Sequence, residues 1–216
     1  MQGQWMLLTA TILAIASPGL SEVIVDGYAF DDGKTSESIL EAKAQMDAIN
    51  NAVAYVEGVE FTLTLSDGHS FQATSKGALS GLTTVEKGFL GNGLYRVRMR
   101  IPDSVPLRDK ELRDALEPTF GSSISQSSDL AFARRKALSR ALSGAIPKAA
   151  EDWYGGRVPS ELTGRYYDLQ VIEEEIVSDS DPFSYRVEIE VKVWFSDPRV
   201  TAVSGSWGQM KSMMLR

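Results

Sequence analysis

Alanine recurs at every fourth position in the segment 133–149, ARRKALSRALSGAIPKA, and no other feature constrains the chain more. Ala133, Ala137, Ala141 and Ala145 are separated by four residues, and Leu138, Leu142 and Ile146 follow three of them. A helix turns once in 3.6 residues, so this spacing keeps the alanines on one face. Small residues on that face let a helix sit close to a sheet, while the aliphatics beside them fill the core. The pattern occurs earlier as well, at Ala44, Ala48 and Ala52, followed by Ile49 and Val53. Matching Ala48 to Ala137 aligns a second phrase. Tyr95-Arg96-Val97-Arg98-Met99-Arg100-Ile101 begins 47 residues after Ala48, and Tyr185-Arg186-Val187-Glu188-Ile189-Glu190-Val191 begins 48 after Ala137. A helix phrase and a strand phrase recurring at nearly equal separation indicate an internal duplication.

The remaining elements follow from local signals. Val23–Ala29 is β-branched and reads as a strand. Ser36 or Ser38 caps the first helix, with Glu41 completing a capping box, and Gly58 stands just past its end. Its expected buried stripe is Ile39, Met46, Ile49, Val53 and Val56. Val59–Leu65 alternates as a strand or strand-like extension, and residues 66–78 read as a polar loop. Leu79–Phe89 and Leu94–Ile101 form a hairpin around Leu90-Gly91-Asn92-Gly93. Alternation turns Tyr95, Val97, Met99 and Ile101 one way and Arg96, Arg98 and Arg100 the other.

Pro102, Pro106 and Pro118 bracket a short charged helix at 109–116. Gly121–Ser128, GSSISQSS, is linker-like or a strand. Asp129 or Ser128 caps the long second helix, which Pro147 is expected to bend or end. Tyr167–Val177 and Tyr185–Phe195 form the last hairpin. The fold class is therefore α+β, with two strand–helix–strand–strand repeats, each a helix on an antiparallel sheet. The two units either pack together or share one sheet. Arginines on one final strand and Glu188 and Glu190 on the other fit the shared sheet, since opposite charges on neighbouring strands attract. The expected boundaries are a signal peptide at 1–21, repeats at 22–101 and 129–195, a connector at 102–128 and a loosely ordered tail at 196–216.

Composition limits the chemistry. The net charge of −7 argues against nucleic-acid binding, which calls for a basic excess. With no cysteine, the chain has no disulfide, thiolate metal site, cysteine nucleophile or lipid-modified cysteine. Residues 5–16, WMLLTATILAIA, are apolar, shorter than the roughly 20 residues of a membrane span, and fit the h-region of a signal peptide. Cleavage sites fit after Ala16 or Ser21, though the first four residues lack Lys and Arg.

The phrase Gly27-Tyr28-Ala29, the alanine-patterned helix ending at Gly58, and Leu94-Tyr95-Arg96-Val97-Arg98 together resemble the N-terminal module of flagellar assembly protein T and of related small bacterial envelope lipoproteins. The resemblance covers Val23–Ile101 and, more weakly, Asp129–Phe195. It implies a periplasmic or outer-membrane-associated protein that acts structurally, on flagellar basal-body, outer-membrane or other envelope proteins, or on a second copy of itself. It offers no catalytic residue, cofactor or metal ligand. Without a cysteine after the signal peptide, this chain departs from the lipoproteins.

Other constellations are weaker. His69 lies between Asp67 and Ser70, but a working triad draws its members from separate elements. Glu173 and Glu175 share a strand face, which would suit acid–base chemistry or, more simply, a solvated face. Asp179-Ser180-Asp181 lacks the rest of a calcium loop. The glycines at 88–93 do not precede a helix, as a phosphate cradle requires. Trp153, Tyr154 and Tyr166 form an aromatic group that either plugs the core or meets a partner, and Arg134, Arg135 and Arg140 give the long helix a basic, solvent-facing side. The expected function is thus a non-enzymatic envelope scaffold or assembly factor. The alternatives are a secreted carboxylate-based hydrolase and a periplasmic small-ligand module with its pocket beside the aromatics at 153–167.

Overall fold

A computed structural model of the protein describes residues 23–65, 70–178 and 180–196. The signal peptide at 1–21, residues 197–216 of the tail, His69 and Asp179 lie outside the described residues. The elements in chain order are β1 (Val23–Phe30), α1 (Glu37–Glu57), β2 (Val59–Thr64), β3 (Ser70–Thr74), β4 (Thr83–Gly91), β5 (Leu94–Ile101), α2 (Lys110–Ala115), β6 (Pro118–Ser127), α3 (Leu130–Tyr154), β7 (Glu161–Ser178) and β8 (Phe183–Phe195). The fold is α+β. All strand pairs are antiparallel, in one sheet ordered β1-β5-β4 and another ordered β3-β2-β7-β8-β6.

The duplication is visible in the strand order. In the first unit the opening strand pairs with the last, which pairs with the strand just before it, as β1-β5-β4. The second unit repeats this as β6-β8-β7. The 118–127 stretch, left between linker and strand by its small polar residues, is therefore the opening strand of the second unit. That unit begins at Pro118 rather than Asp129, because small residues on the inward side of the strand, with Gly121 and Ser125 buried, fit beneath α3. The sheets remain two. Arg96 pairs with Glu86 at 2.6 Å and Arg98 with Asp26 at 2.9 Å, both within the small sheet rather than with Glu188 or Glu190. The link between the units is the β2–β3 excursion. β2 leaves the first unit and pairs with β7, adding Val59, Phe61 and Leu63 to the second unit's core. β3 itself occupies part of the stretch read as a polar loop.

Each helix approaches its opening strand closely. A Cβ built on Gly27 would overlap the main chain of α1 at Ala44 and Ala48. One built on Gly121 would overlap the Ala141 carbonyl and come within 3.0 Å of the Ala145 Cβ. The buried stripe of α1 is therefore Leu40, Ala44, Ala48, Ala52, Val53 and Val56. Ile39 and Met46, expected inside, are 51% and 59% exposed, because the contact leaves no room for large side chains at its centre. The same contacts set the helix correspondence. Ala44 and Ala48 match Ala141 and Ala145, so Ala48 corresponds to a residue eight positions beyond Ala137, about two turns of helix.

Two further expectations give way to tertiary context. Pro147 lies within α3, which continues to Tyr154. Burial of Ala145 and Ile146 before it and Ala150 after it holds the helix against the local cost of about 3 kcal/mol. Ser36 is the N-cap of α1, but no side chain caps it, and Glu41 reaches Lys87 on β4 instead of closing a capping box. The long helix is capped as expected, with the Asp129 carboxylate accepting from the Phe132 N–H at 2.8 Å.

Gly27→Ala and Ala141→Leu should each destabilise the protein by roughly 1–3 kcal/mol through overpacking, measured as a lowered urea midpoint with unchanged slope. A wild-type midpoint for both would contradict the close approach.

Candidate functional site

The two units are held together by two buried arginines. Arg134, in the first turns of α3, faces the first unit rather than solvent. Its guanidinium lies 4.1 Å above the Tyr28 ring of β1, and its Nε donates to Glu174 of β7 at 2.7 Å. Tyr185 of β8 also stands beside Glu174. Burial alone would weaken the charged form of Arg134, but the Glu174 carboxylate together with the Tyr28 and Tyr185 hydroxyls more than reverses this and holds the proton more firmly.

Arg113 closes the other end from the connector helix α2. It donates to the carbonyls of Tyr55 and Val56, both at 2.7 Å, where the last turn of α1 leaves acceptors without helical partners. It also reaches Asp168 on β7 at 3.2 Å and stacks over Tyr167 at 4.6 Å. The Tyr167 hydroxyl donates to Asp109 at 2.8 Å. Burial and this carboxylate push the Tyr167 phenol up to about 12. Burial likewise holds Tyr28, Tyr166 and Tyr185 well above the ordinary tyrosine range.

The aromatic group serves the core. Tyr166 is buried at 6.5 Å from Phe61, and Trp153 and Tyr154 lie 5.9 and 5.7 Å from Phe195. Of the residues expected to meet a partner, Tyr166 and Arg134 are thus buried inside the protein, Trp153 and Tyr154 are partly covered, and Arg135 and Arg140 are exposed. Their identities were legible in the sequence. The helical pattern alone turns Arg134 to solvent, because the element that covers it, β1, lies more than a hundred residues away. Arg113 carried no sequence signal beyond being a charge on a short helix.

The carboxylates are dispersed. Glu175 pairs with Arg186, while Glu173 stands opposite Glu188 in the β7–β8 ladder. Asn92 and Gly93 form a tight β4–β5 turn, both with positive φ, so the glycine-rich stretch is a hairpin. Among the described residues no group of three or more His, Asp or Glu could hold a metal ion, and no helix is long and apolar enough to cross a membrane. A shallow concavity of about 370 Å³ lies on the sheet face away from α3, with Thr62, Gln72, Arg165 and Trp194 among its walls. Phe61 lines it, while Trp153, Tyr154 and Tyr166 do not. Comparison of the chain with models of known protein families and with curated proteins finds no match.

Arg134→Ala should cost about 3–5 kcal/mol, because it leaves the Glu174 carboxylate buried and unpaired. The double variant Arg134→Met with Glu174→Leu should recover much of that loss, and a double-mutant cycle in urea measures the coupling. Alkaline pH supplies a second check. From about pH 10, where an exposed tyrosine ionises, the unfolded chain sheds protons that the four buried phenols retain. Their contribution is full below pH 10 and is lost as the pH rises, by about 1.4 kcal/mol per pH unit for each ring. Urea midpoints at a series of alkaline pH values should show this fall, and Tyr166→Phe should remove one ring's share of the slope.

Proposed function

We propose that the protein is an exported bacterial cell-envelope protein that acts without catalysis, as a scaffold or assembly factor working through protein–protein contacts. The resemblance to the N-terminal module of flagellar assembly protein T implies this reading. The duplicated helix-on-sheet unit supports it, because the two copies are clamped into one body by the buried arginines and make a stiff platform. The observation that carries it is the surface of β6. Phe120 and Ile124 are 53% and 46% exposed on one face of this strand. The strand lies at the edge of its sheet among the described residues. Exposed apolar side chains beside an unpaired strand edge make a surface that favours association.

In-cell crosslinking of a tagged copy, followed by mass spectrometry of the envelope fraction, tests the proposal. Near-stoichiometric recovery of basal-body or outer-membrane proteins is the expected outcome. Recovery of the protein alone would overturn the scaffold reading.

A further inference from the structure

The two repeats treat their opening strands differently. In the first unit, α1 closes the outer edge of β1 with a matched pair of side chains. Asp47 accepts from the Tyr28 N–H at 2.9 Å, and Asn51 donates to the Asp26 carbonyl at 2.7 Å. Those main-chain groups flank Gly27, the residue pressed against the helix. In the second unit Gly121 is the pressed residue, so Phe120 and Ser122 take the places of Asp26 and Tyr28. The helix correspondence set by the alanines carries Asn51 to Lys148 and Asp47 to Gly144. Lys148 keeps its part of the arrangement and donates to the Phe120 carbonyl at 3.3 Å. Arg140, one turn before Gly144, donates to the Ile124 carbonyl at 3.4 Å. Gly144 has no side chain to answer Ser122, and the space beside it is open.

The β6 edge is therefore capped on its carbonyls alone. Phe120 and Ile124 direct their main-chain groups outward, and alternate residues of a strand point the same way, so the Ser122 N–H faces the same edge. Two cations stand on either side of an unfilled acceptor position. Capping cations on an edge normally discourage strand addition. Here they discriminate, because a neutral or basic strand would have to strip them from the carbonyls for nothing in return, while an acidic strand offers them carboxylates.

We propose that the β6 edge at Ser122 binds an extended acidic segment of a partner protein, which adds to the sheet as a further strand. Main-chain carbonyls of the segment accept from the outward N–H groups of β6. Its carboxylates face α3 and take over Arg140 and Lys148 across the gap at Gly144. Its apolar side chains on the other face cover Phe120 and Ile124. Strand addition draws its affinity from the main-chain bonds and its selectivity from the alternate side chains. The proposal rests on the scaffold reading and specifies the chemistry of one partner contact.

The test uses a peptide of alternating glutamate and valine as long as β6, with a lysine–valine peptide as control. Hydrogen exchange of the Ser122 amide in the full chain should slow by at least about tenfold with the glutamate peptide and not with the lysine peptide. Gly144→Asp should remove the peptide-dependent slowing, because the carboxylate that closes the first repeat then holds the Ser122 N–H with or without peptide. Gly144→Ala should preserve it, since alanine supplies no acceptor. Both substitutions should leave the fold intact, as either residue is a better helix former than glycine. Equal protection by the two peptides, undiminished binding by Gly144→Asp, or a Ser122 amide already protected in the free protein would each overturn the proposal. In-cell crosslinking of Gly144→Asp separates the two readings. Partners retained by this variant would leave the scaffold reading standing and remove β6 from it, whereas no partner for the wild-type chain would remove the scaffold reading while the peptide result still decides the site.

Discussion

Everything in this protein is built on the distance between a helix and the strand beneath it. Gly27 under Ala44 and Ala48, and Gly121 under Ala141 and Ala145, bring main chain almost onto main chain. Such an approach forgoes the burial of large side chains at its centre, so the apolar area is supplied around it. In the second unit that area comes from Leu142 and Ile146 on the helix and from the inward row of β8, Tyr185 to Phe195. The same closeness lets short side chains of the helix reach the outer edge of the strand, as Asp47 and Asn51 do in the first unit.

The first unit alone would be a small body, with three strands and one helix. Its stability is coupled to the second through β2, whose inward residues lie in the neighbour's core, and through the two arginines. Arg113 and Arg134 do similar work by different means. Arg113 answers the carbonyls at the end of α1 and crosses to β7, so it ties one unit's helix end to the other unit's sheet. Arg134 makes a buried ion pair and lays its guanidinium on an aromatic ring from the opposite unit. Desolvating these charges costs free energy that their partners offset only in the docked arrangement, which makes them devices for orientation more than for net stability.

Duplication followed by divergence explains how one edge came to differ from the other. The first strand has its donor and acceptor both answered by the helix above it, and is finished as a surface. Above the second strand the helix keeps its donor, Lys148, and has glycine where the first helix has its acceptor, so a strand carbonyl is answered and a strand N–H is not. A single position, aspartate in one copy and glycine in the other, separates a closed edge from one that can take another strand. The exposed Phe120 and Ile124 lie on that second strand, whereas the corresponding face of β1 carries Asp26 and Tyr28, engaged with Arg98 and Arg134.

The sequence by itself determined the α+β class, the two helices, both long hairpins and the inward rows of β5 and β8. Each of these follows from a local period or a turn residue, and local signals survive without knowledge of neighbours. It also indicated a duplication, but placed the helix match two turns early, because an alanine repeat of period four looks the same after any shift by four. Only the contact with Gly27 and Gly121 breaks that degeneracy. The tertiary structure alone decided that 118–127 is a strand, that β2 serves the other unit's sheet, that α3 runs through Pro147, and that Arg134 is inside while Ile39 and Met46 are outside. In each of these cases the deciding partner lies on another element, and for 118–127, β2 and Arg134 it lies far along the chain. Burial and pairing with such a partner outweigh a local preference of a few kcal/mol, and a sequence read in windows contains no record of it.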